Sequence, residues 1–280
     1  MKISLLTDAP RHNLALMKIS AVHKARGDQV LLNCPIEPAD KSYASWLFRT
    51  RYAANVMGGP GYDPTIRLPD VFEVKPDYDL FKRDYSLGYT WEYCPRQCGF
   101  CVVPKQDNPK VHYSIWDFHD SRFKKICLLN NNTFSDPRWR ETFKEIWDAD
   151  LEVRDENGYD LRLLDDEKTD ALHRTKWDTP LHFAWDCIDD ESTIRRGLKL
   201  LEKHHLRSTS NGVYVLIGFD TTEEQDIYRC QVIDDHGLTP YPMPYVRNRY
   251  TRRFKRFVNL HYYREYESIE AAWGHYDGGK

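Results

Sequence analysis

Apolar runs typical of β-strands alternate along this chain with stretches of helical periodicity, and this order constrains the fold more than any other feature. Six such runs lie at residues 87–93, 125–130, 151–154, 181–186, 213–219 and 238–245. Stretches with helical character separate them, at residues 137–148, 165–174, 192–204 and 222–236. Strands that alternate with helices pair in parallel. The sequence therefore predicts an α/β fold built on a parallel sheet.

A smaller strand–helix–strand unit precedes this alternation. It consists of apolar residues 2–7, a helical stretch at 13–26 and a strand at 29–33, and a further apolar run at 52–62 ends in a glycine turn. Pro64, Pro69 and Pro76 then mark an extended connector. We predict a small α/β extension over residues 1–85, a main domain over 86–246, and a C-terminal helix and tail over 247–280.

Length and composition are those of a soluble protein. The chain has 280 residues, of which 41% are hydrophobic, and this is enough for one substantial core. No run approaches the roughly 20 apolar residues that cross a bilayer, so we expect no membrane partner. The chain opens with Met1 and no apolar signal segment, which predicts a cytoplasmic location. A net charge of -3 argues against nucleic-acid binding through overall charge.

Three closely spaced cysteines dominate the middle of the chain. Cys94, Cys98 and Cys101 have the spacing C-x3-C-x2-C. Such a loop can hold three irons of a cubic iron–sulfur cluster and leave the fourth iron without a protein ligand. A structural zinc site would need a fourth ligand, and no second C-x2-C follows. A disulfide framework would need an oxidising compartment. The spacing therefore favours a cluster.

With Phe100 directly before its third cysteine, the loop resembles the signature of the radical S-adenosylmethionine (radical SAM) superfamily. The resemblance implies a [4Fe-4S] cluster on Cys94, Cys98 and Cys101, with S-adenosylmethionine as the second cofactor. It implies reductive cleavage of that cofactor to a 5'-deoxyadenosyl radical, which abstracts a hydrogen from the substrate. An external one-electron reductant, such as flavodoxin or ferredoxin, would supply the electron. For the fold, it implies an incomplete six-stranded (βα)6 barrel, a partial TIM barrel, over residues 86–246.

In such barrels the functional residues follow the carboxyl ends of the strands. The resemblance places the amino group of S-adenosylmethionine near Asn130 and Asn131, although three successive asparagines fit a polar turn equally well. We expect Arg162 to grip the cofactor's carboxylate, with a structural salt bridge as the alternative. The full set of candidate cofactor-binding residues is Phe100, Asn130, Asn131, Asp160, Arg162, Asp186, Gly218 and Asp220.

The remaining candidates each have a structural alternative. Asp160 and Asp186 could bind ribose hydroxyls or substrate amines, or could cap the helices that follow. Gly218 and Asp220 belong to a stretch that resembles the adenine-packing region of the superfamily. The same stretch leads into Thr-Thr-Glu-Glu, which is also an ordinary helix-capping sequence.

The N-terminal region resembles an abbreviated cobalamin-binding domain of the kind fused to many radical SAM proteins. The Asp-x-His-x-x-Gly loop that ligates cobalt is missing, because His12 lies two places late after Asp8 and the glycine is absent. About 85 residues are also too few for a full doubly wound domain. We therefore do not expect this chain to bind cobalamin.

A basic stretch begins the C-terminal segment. Helical spacing places Arg249, Arg252, Arg253 and Arg256 on one face, which indicates either a solvated helix face or a polyanion-binding surface. The chain is similar to small bacterial and phage radical SAM proteins, some of which are linked with hypermodified DNA bases. This favours a nucleotide or a DNA base as substrate, and leaves isomerase, transferase and oxidoreductase chemistry open. The alternative is a noncatalytic iron–sulfur or metal protein that binds nucleic acid through residues 249–256.

Overall fold

The computed structural model describes residues 1–154 and 156–276, and the chain divides into two compact units. The first unit contains residues 1–131 and 138–154. The second contains residues 132–137 and the described residues after Arg154. Residues 277–280 of the predicted C-terminal segment lie outside the described residues. The three domains predicted from the sequence stay a prediction.

The first unit begins with a four-stranded parallel sheet. Its strands are β1 (Lys2–Leu6), β2 (Gln29–Leu32), β3 (Lys41–Ser45) and β4 (Val56–Gly58), in the order β2-β1-β3-β4. Helix α1 (Leu14–Ala25) packs on this sheet through Leu16 and Ile19, which are buried against Ile3 and Leu5. Asn13 starts the helix, because its side chain accepts a hydrogen bond from the backbone N–H of Leu16.

Three further parallel strands complete the first unit. They are β5 (Ser86–Gly88), β6 (Lys125–Leu128) and β7 (Glu152–Arg154), with β6 in the centre, and helix α2 spans Trp139–Asp148. Strand β5 ends at Gly88, five residues earlier than the sequence predicts. A side chain at this position would collide with the ring of Phe118, because a Cβ built on Gly88 lies 2.3 Å from Phe118 Cγ.

The second unit contains a parallel sheet and most of the helices. Its strands are β8 (Tyr159–Asp160), β9 (Lys176–Trp177), β10 (His182–Trp185), β11 (Gly212–Ile217) and β12 (Thr239–Pro244), and four of them pair in the order β8-β10-β11-β12. Its helices are α3 (Asp166–Arg174), α4 (Glu191–Lys203), α5 (Glu223–Asp235), α6 (Arg249–Asn259) and α7 (Ile269–His275). None of the helices in the described ranges combines the length and the apolar character needed to cross a bilayer.

The predicted α/β class and the parallel pairing of the strands are confirmed. Closure of these strands into one incomplete barrel stays a prediction.

The basic face predicted on the C-terminal helix is correct for three of its four arginines. Arg249, Arg252 and Arg256 are exposed on α6. Arg253 is half-buried instead, because its guanidinium lies 5.2 Å from the ring centre of Trp273 and also donates to the backbone oxygen of Tyr276. This arginine joins α6 to α7 and does not belong to the exposed face.

Candidate metal centre

The cysteine loop follows β5, and the buried side chain of Asn130 holds its base. Asn130 Oδ1 accepts the backbone N–H groups of Thr90 and Trp91 at 2.8 and 3.0 Å. Its Nδ2 donates to Thr90 Oγ1 at 2.9 Å. The Asn130 side chain thus satisfies backbone N–H groups that would pair with a neighbouring strand if β5 were longer. The chain leaves the sheet at Thr90 and Trp91.

Other contacts hold the segment between the strand and the first cysteine. Asn131 Nδ2 donates to the backbone oxygen of Glu92. Trp91 forms an isolated antiparallel bridge with His112. The Glu92 carboxylate pairs with Arg67 at 3.0 Å. The loop that carries the cysteines is therefore fixed where it begins, by residues from the end of β6 and from neighbouring loops.

The three cysteines of the loop are partly exposed, as are Cys34 and Cys187. Cys94, Cys98 and Cys101 are all half-buried and form no disulfide, whereas Cys127 and Cys230 are fully buried. Burial raises the pKa of the Cys230 thiol and makes it an unsuitable metal ligand. The loop cysteines keep the partial exposure that a reactive or metal-binding thiol needs.

One hydrogen bond to sulfur also suits a metal-bound thiolate. The backbone N–H of Cys101 donates to the Cys98 carbonyl at 3.0 Å, which closes a turn between the two residues. The backbone N–H of Val103 then lies 3.4 Å from Cys101 Sγ and donates to it. Hydrogen bonds of this kind stabilise a thiolate and help to set the potential of a cluster.

The donor chemistry of the loop fits an iron–sulfur cluster, although the ligands are not assembled in advance. Eight consecutive residues supply three thiols that are free of disulfides. Among residues 1–154 and 156–276, no three His, Cys, Asp or Glu side chains are grouped closely enough to hold a metal ion. The cluster stays a prediction.

A small cavity adjoins the first cysteine. It has a volume of about 180 Å³, with Tyr93, Cys94 and Gln97 among its lining residues, together with Asp107 and Lys110. The ammonium group of Lys110 lies 4.5 Å from the ring centre of Tyr93. Pockets that enclose whole ligands usually measure roughly 300–1,000 Å³. This cavity can take a fragment of a ligand and is too small for a whole nucleoside.

In the second unit, Arg162 is engaged by two carboxylates. Its Nε and Nη2 contact the two oxygens of Asp160 at 2.7 and 3.0 Å, and Nη1 lies 2.6 Å from Asp190 Oδ2. The structural salt bridge weighed as an alternative role for Arg162 is therefore present. Three of the five N–H donors of its guanidinium are used in this way.

Asp186 lies beside this ion-pair group, directly after β10. Burial raises the pKa of its carboxyl group to about 6, against the opposing attraction of Arg162 and Arg229. Both protonation states are thus accessible near neutral pH. Asp186 is the candidate best suited to exchange a proton with a ligand.

Gly218 and Asp220 follow β11. Gly218 adopts a left-handed conformation with a φ angle of 70°, and a Cβ at this position would lie 2.8 Å from Thr251 Cγ2. Asp220 is exposed. Thr222 starts α5 with a capping box that includes Gln225, so the capping alternative holds for this part of the stretch.

Apart from Gly218 and Asp220, the predicted site residues fall into one group in each unit. Phe100, Asn130 and Asn131 accompany the cysteines in the first unit, and Asp160, Arg162 and Asp186 cluster in the second. A fully buried pair that is not apparent from the sequence, Asp226 and Arg229, lies beside Asp186. Its only signal was an acid and an arginine three residues apart in a predicted helix.

Comparison of the chain with models of protein families gives no match, and comparison with curated proteins gives none. The functional assignment therefore depends on the residues themselves.

Proposed function

We propose that this protein is a radical SAM enzyme in which Cys94, Cys98 and Cys101 bind a [4Fe-4S] cluster. Bound together, the cluster and S-adenosylmethionine would supply a 5'-deoxyadenosyl radical for hydrogen abstraction. One observation carries the proposal: three partly exposed thiols with the C-x3-C-x2-C spacing lie on one loop at the carboxyl end of a parallel strand. Functional groups of parallel α/β proteins collect at this end of the strands.

The contacts of Asn130 and Asn131 support a positioning role in this proposal. Both side chains are committed to the backbone at the start of the cysteine loop. They would fix the direction in which the loop leaves the sheet, and so the place where the thiols meet. We therefore assign these two asparagines to the loop, and assign contact with the cofactor to groups that remain available.

Arg162 would bind the cofactor's carboxylate through the two guanidinium N–H groups that do not contact Asp160 or Asp190. The ion pairs with Asp160 and Asp190 would hold the guanidinium in one orientation for that contact. Asp186 would bind a hydroxyl or an amine of the ligand, and Phe100, Gly218 and Asp220 keep the roles that the resemblance implies.

We extend the proposal to the fold and the partners. The six predicted strands correspond to β5, β6, β7, β10, β11 and β12, and each pairs in parallel within its own unit. Parallel pairing of neighbouring strands is one of the features that a (βα)6 barrel requires. We further propose a flavodoxin or ferredoxin as the reductant, a nucleotide or DNA base as the substrate, and a cytoplasmic location.

Anaerobic reconstitution with iron and sulfide tests the proposal. We expect a brown protein with about four irons, which releases 5'-deoxyadenosine when dithionite and S-adenosylmethionine are added. The variant Cys98→Ala should lose both the cluster and the product. Cys34→Ser is the matched control, because Cys34 is also half-buried but lies outside the loop. Full iron loading without any cleavage of S-adenosylmethionine would refute the enzyme assignment.

The exposed arginines of α6 favour one second candidate, a noncatalytic iron–sulfur or metal protein that binds nucleic acid. Arg249, Arg252 and Arg256 present three positive charges on a single helix. This candidate predicts salt-sensitive DNA binding that persists in Cys98→Ala and weakens in an Arg249→Gln/Arg252→Gln/Arg256→Gln variant. It also predicts that the wild-type protein does not cleave S-adenosylmethionine.

A further inference from the structure

A loop at the carboxyl end of β3 exposes two arginines between two aromatic residues. We call residues Leu47–Tyr52, with the sequence Leu-Phe-Arg-Thr-Arg-Tyr, the aromatic–arginine loop. The side chain of Phe48 is 75% exposed and that of Tyr52 is 53% exposed. Arg49 and Arg51 are exposed as well. Leu47, Phe48 and Tyr52 are all exposed within six residues, and exposed apolar side chains that cluster in this way mark interaction sites.

The aromatic–arginine loop is held in a fixed conformation. The carboxylate of Asp8 accepts the backbone N–H groups of Leu47, Phe48 and Arg49 at 2.7, 3.0 and 2.9 Å. Burial alone would raise the pKa of Asp8, but these three donors outweigh it and hold the pKa below its usual range. Asp8 therefore stays ionised and keeps the loop in place. The ring of Phe48 projects from an ordered loop, and binding would cost little ordering entropy.

The charged side chains of the loop itself are positive, and the Asp8 carboxylate is occupied by three backbone N–H groups, so the loop favours an anionic partner. Residues 41–62 contain Lys41, Arg49 and Arg51 and no aspartate or glutamate, in a chain whose net charge is -3. Within the described residues, neither Arg49 nor Arg51 forms an ion pair. The two guanidinium groups are thus available to bind phosphate groups next to the aromatic rings.

The topology of the sheet also places the loop where ligands bind. In the order β2-β1-β3-β4, strand β2 lies on one side of β1, whereas β3 and β4 lie on the other side. The strand order therefore reverses direction between β1 and β3. The crevice at such a switch point, outside the carboxyl ends of the strands, is the usual ligand site of open parallel sheets. The loop after β1 provides Asp8, and the loop after β3 provides the rings and the arginines.

We propose that the aromatic–arginine loop binds single-stranded nucleic acid. Phe48 and Tyr52 would stack on bases, while Arg49 and Arg51 would contact the neighbouring phosphates. Single-strand binding proteins combine stacking and positive charge in this way. The inference names a substrate class for the enzyme and in that respect rests on the proposed function. The binding itself requires no cluster.

Fluorescence anisotropy with a labelled 20-nucleotide DNA single strand tests the proposal on the reconstituted protein. Loss of one stacking side chain typically weakens binding by about 10- to 100-fold, and we expect this for Phe48→Ala. Arg49→Gln/Arg51→Gln should weaken binding and lower the slope of log K against log salt by about 2. Val71→Ala is the apolar control, because Val71 is also exposed in the first unit. Arg26→Gln is the charge control, because Arg26 is also exposed in the first unit, and both controls should bind within about twofold of the wild type.

Three results would overturn the inference. They are wild-type affinity in both loop variants, no binding of the single strand by the wild-type protein, and binding to vesicles that contain phosphatidylserine in place of binding to the oligonucleotide. Circular dichroism melting would show that the variants are folded. Cys98→Ala, which cannot hold a full cluster, should still bind the oligonucleotide and still lose affinity when Phe48→Ala is added. If the wild type binds in this way but never cleaves S-adenosylmethionine, the proposed function fails and the nucleic-acid surface stands.

Discussion

Burial keeps the Asp186 carboxyl group protonated at a pH where an exposed aspartate is ionised. Its pKa rises from an ordinary value of 3.8 to about 6 in the folded protein. Between these values the folded state binds more protons than the unfolded chain, so stability decreases as the pH rises through this window. At 1.36 kcal/mol for each pKa unit, the full shift corresponds to about 3 kcal/mol, of which about 2.4 kcal/mol is lost between pH 4 and pH 7.

The variant Asp186→Asn should remove this loss. We expect its free energy of unfolding to equal that of the wild type at pH 4 and to exceed it by about 2–3 kcal/mol at pH 7. Urea denaturation at both pH values measures the difference. Asp220→Asn, at an exposed aspartate, should show no such dependence. A difference between Asp186→Asn and the wild type that does not vary with pH would contradict the role given to burial.

The buried pair of Asp226 and Arg229 leads to a prediction about stability. Both side chains are inaccessible, and Arg229 also donates to the backbone oxygens of Trp185, Asp186 and Leu216. Arg229→Met should lower the free energy of unfolding by about 3–5 kcal/mol, because it leaves a buried carboxylate without its counter-charge. Chemical denaturation checks this, with Arg256→Met on the exposed face of α6 as the control. Equal stability of the two variants would show that Arg229 is dispensable.

The junction between β11 and α6 depends on a glycine. Gly218 combines a positive φ angle with close contact to the Thr251 methyl group, so Gly218→Ala faces both backbone strain and a collision. We expect the free energy of unfolding to fall by about 1–3 kcal/mol. The double variant Gly218→Ala/Thr251→Ser should recover part of this loss. Serine lacks the methyl group but keeps the hydroxyl that donates to the Val246 oxygen.

Thermal denaturation of the two Gly218 variants and of Thr251→Ser alone separates the two causes. The stability that the double variant recovers measures the cost of the collision with the threonine methyl group. The stability that it does not recover measures the cost of the positive φ angle. If the double variant is no more stable than Gly218→Ala, the threonine methyl group is not the obstacle.

The sequence predicts well those elements that local chemistry defines. Helices α3 and α5 begin where Asp165 and Thr222 cap them, and β11 is a continuous apolar run. Strands β8 and β9 are missed, because two residues carry no detectable period. The sequence predicts a β5 that is five residues too long. No nearby residue indicates that the Asn130 side chain accepts hydrogen bonds from the backbone N–H groups of Thr90 and Trp91. Helix α2 begins at Trp139, two residues later than the sequence predicts, because the turn that ends at Asp136 precedes it.

The same distinction separates the candidate site residues. The spacing of the cysteines is local and can be read directly, and their partial exposure agrees with it. The roles of Arg162 and Arg253 depend on partners that are distant in the sequence, namely Asp190 and Trp273. No sequence pattern distinguishes an arginine that contacts a ligand from one that forms an internal ion pair. The sequence therefore indicates the candidate ligands of the cluster and a salt bridge as one of two roles for Arg162, but it does not identify Asp190 or Trp273 as partners.

Cluster binding should stabilise the whole protein, because the folded loop binds the cluster and the unfolded chain does not hold the thiols together. A ligand at 100 times its dissociation constant contributes about 2.7 kcal/mol, which corresponds to a rise in melting temperature of roughly 5–10 °C for a chain of this size. Anaerobic calorimetry should show this rise on reconstitution of the wild type and of Cys34→Ser. The triple variant Cys94→Ser/Cys98→Ser/Cys101→Ser should melt at one temperature with or without iron and sulfide. A similar rise in the triple variant would place the metal elsewhere, and no rise in an iron-loaded wild type would show that the cluster binds the unfolded chain equally well.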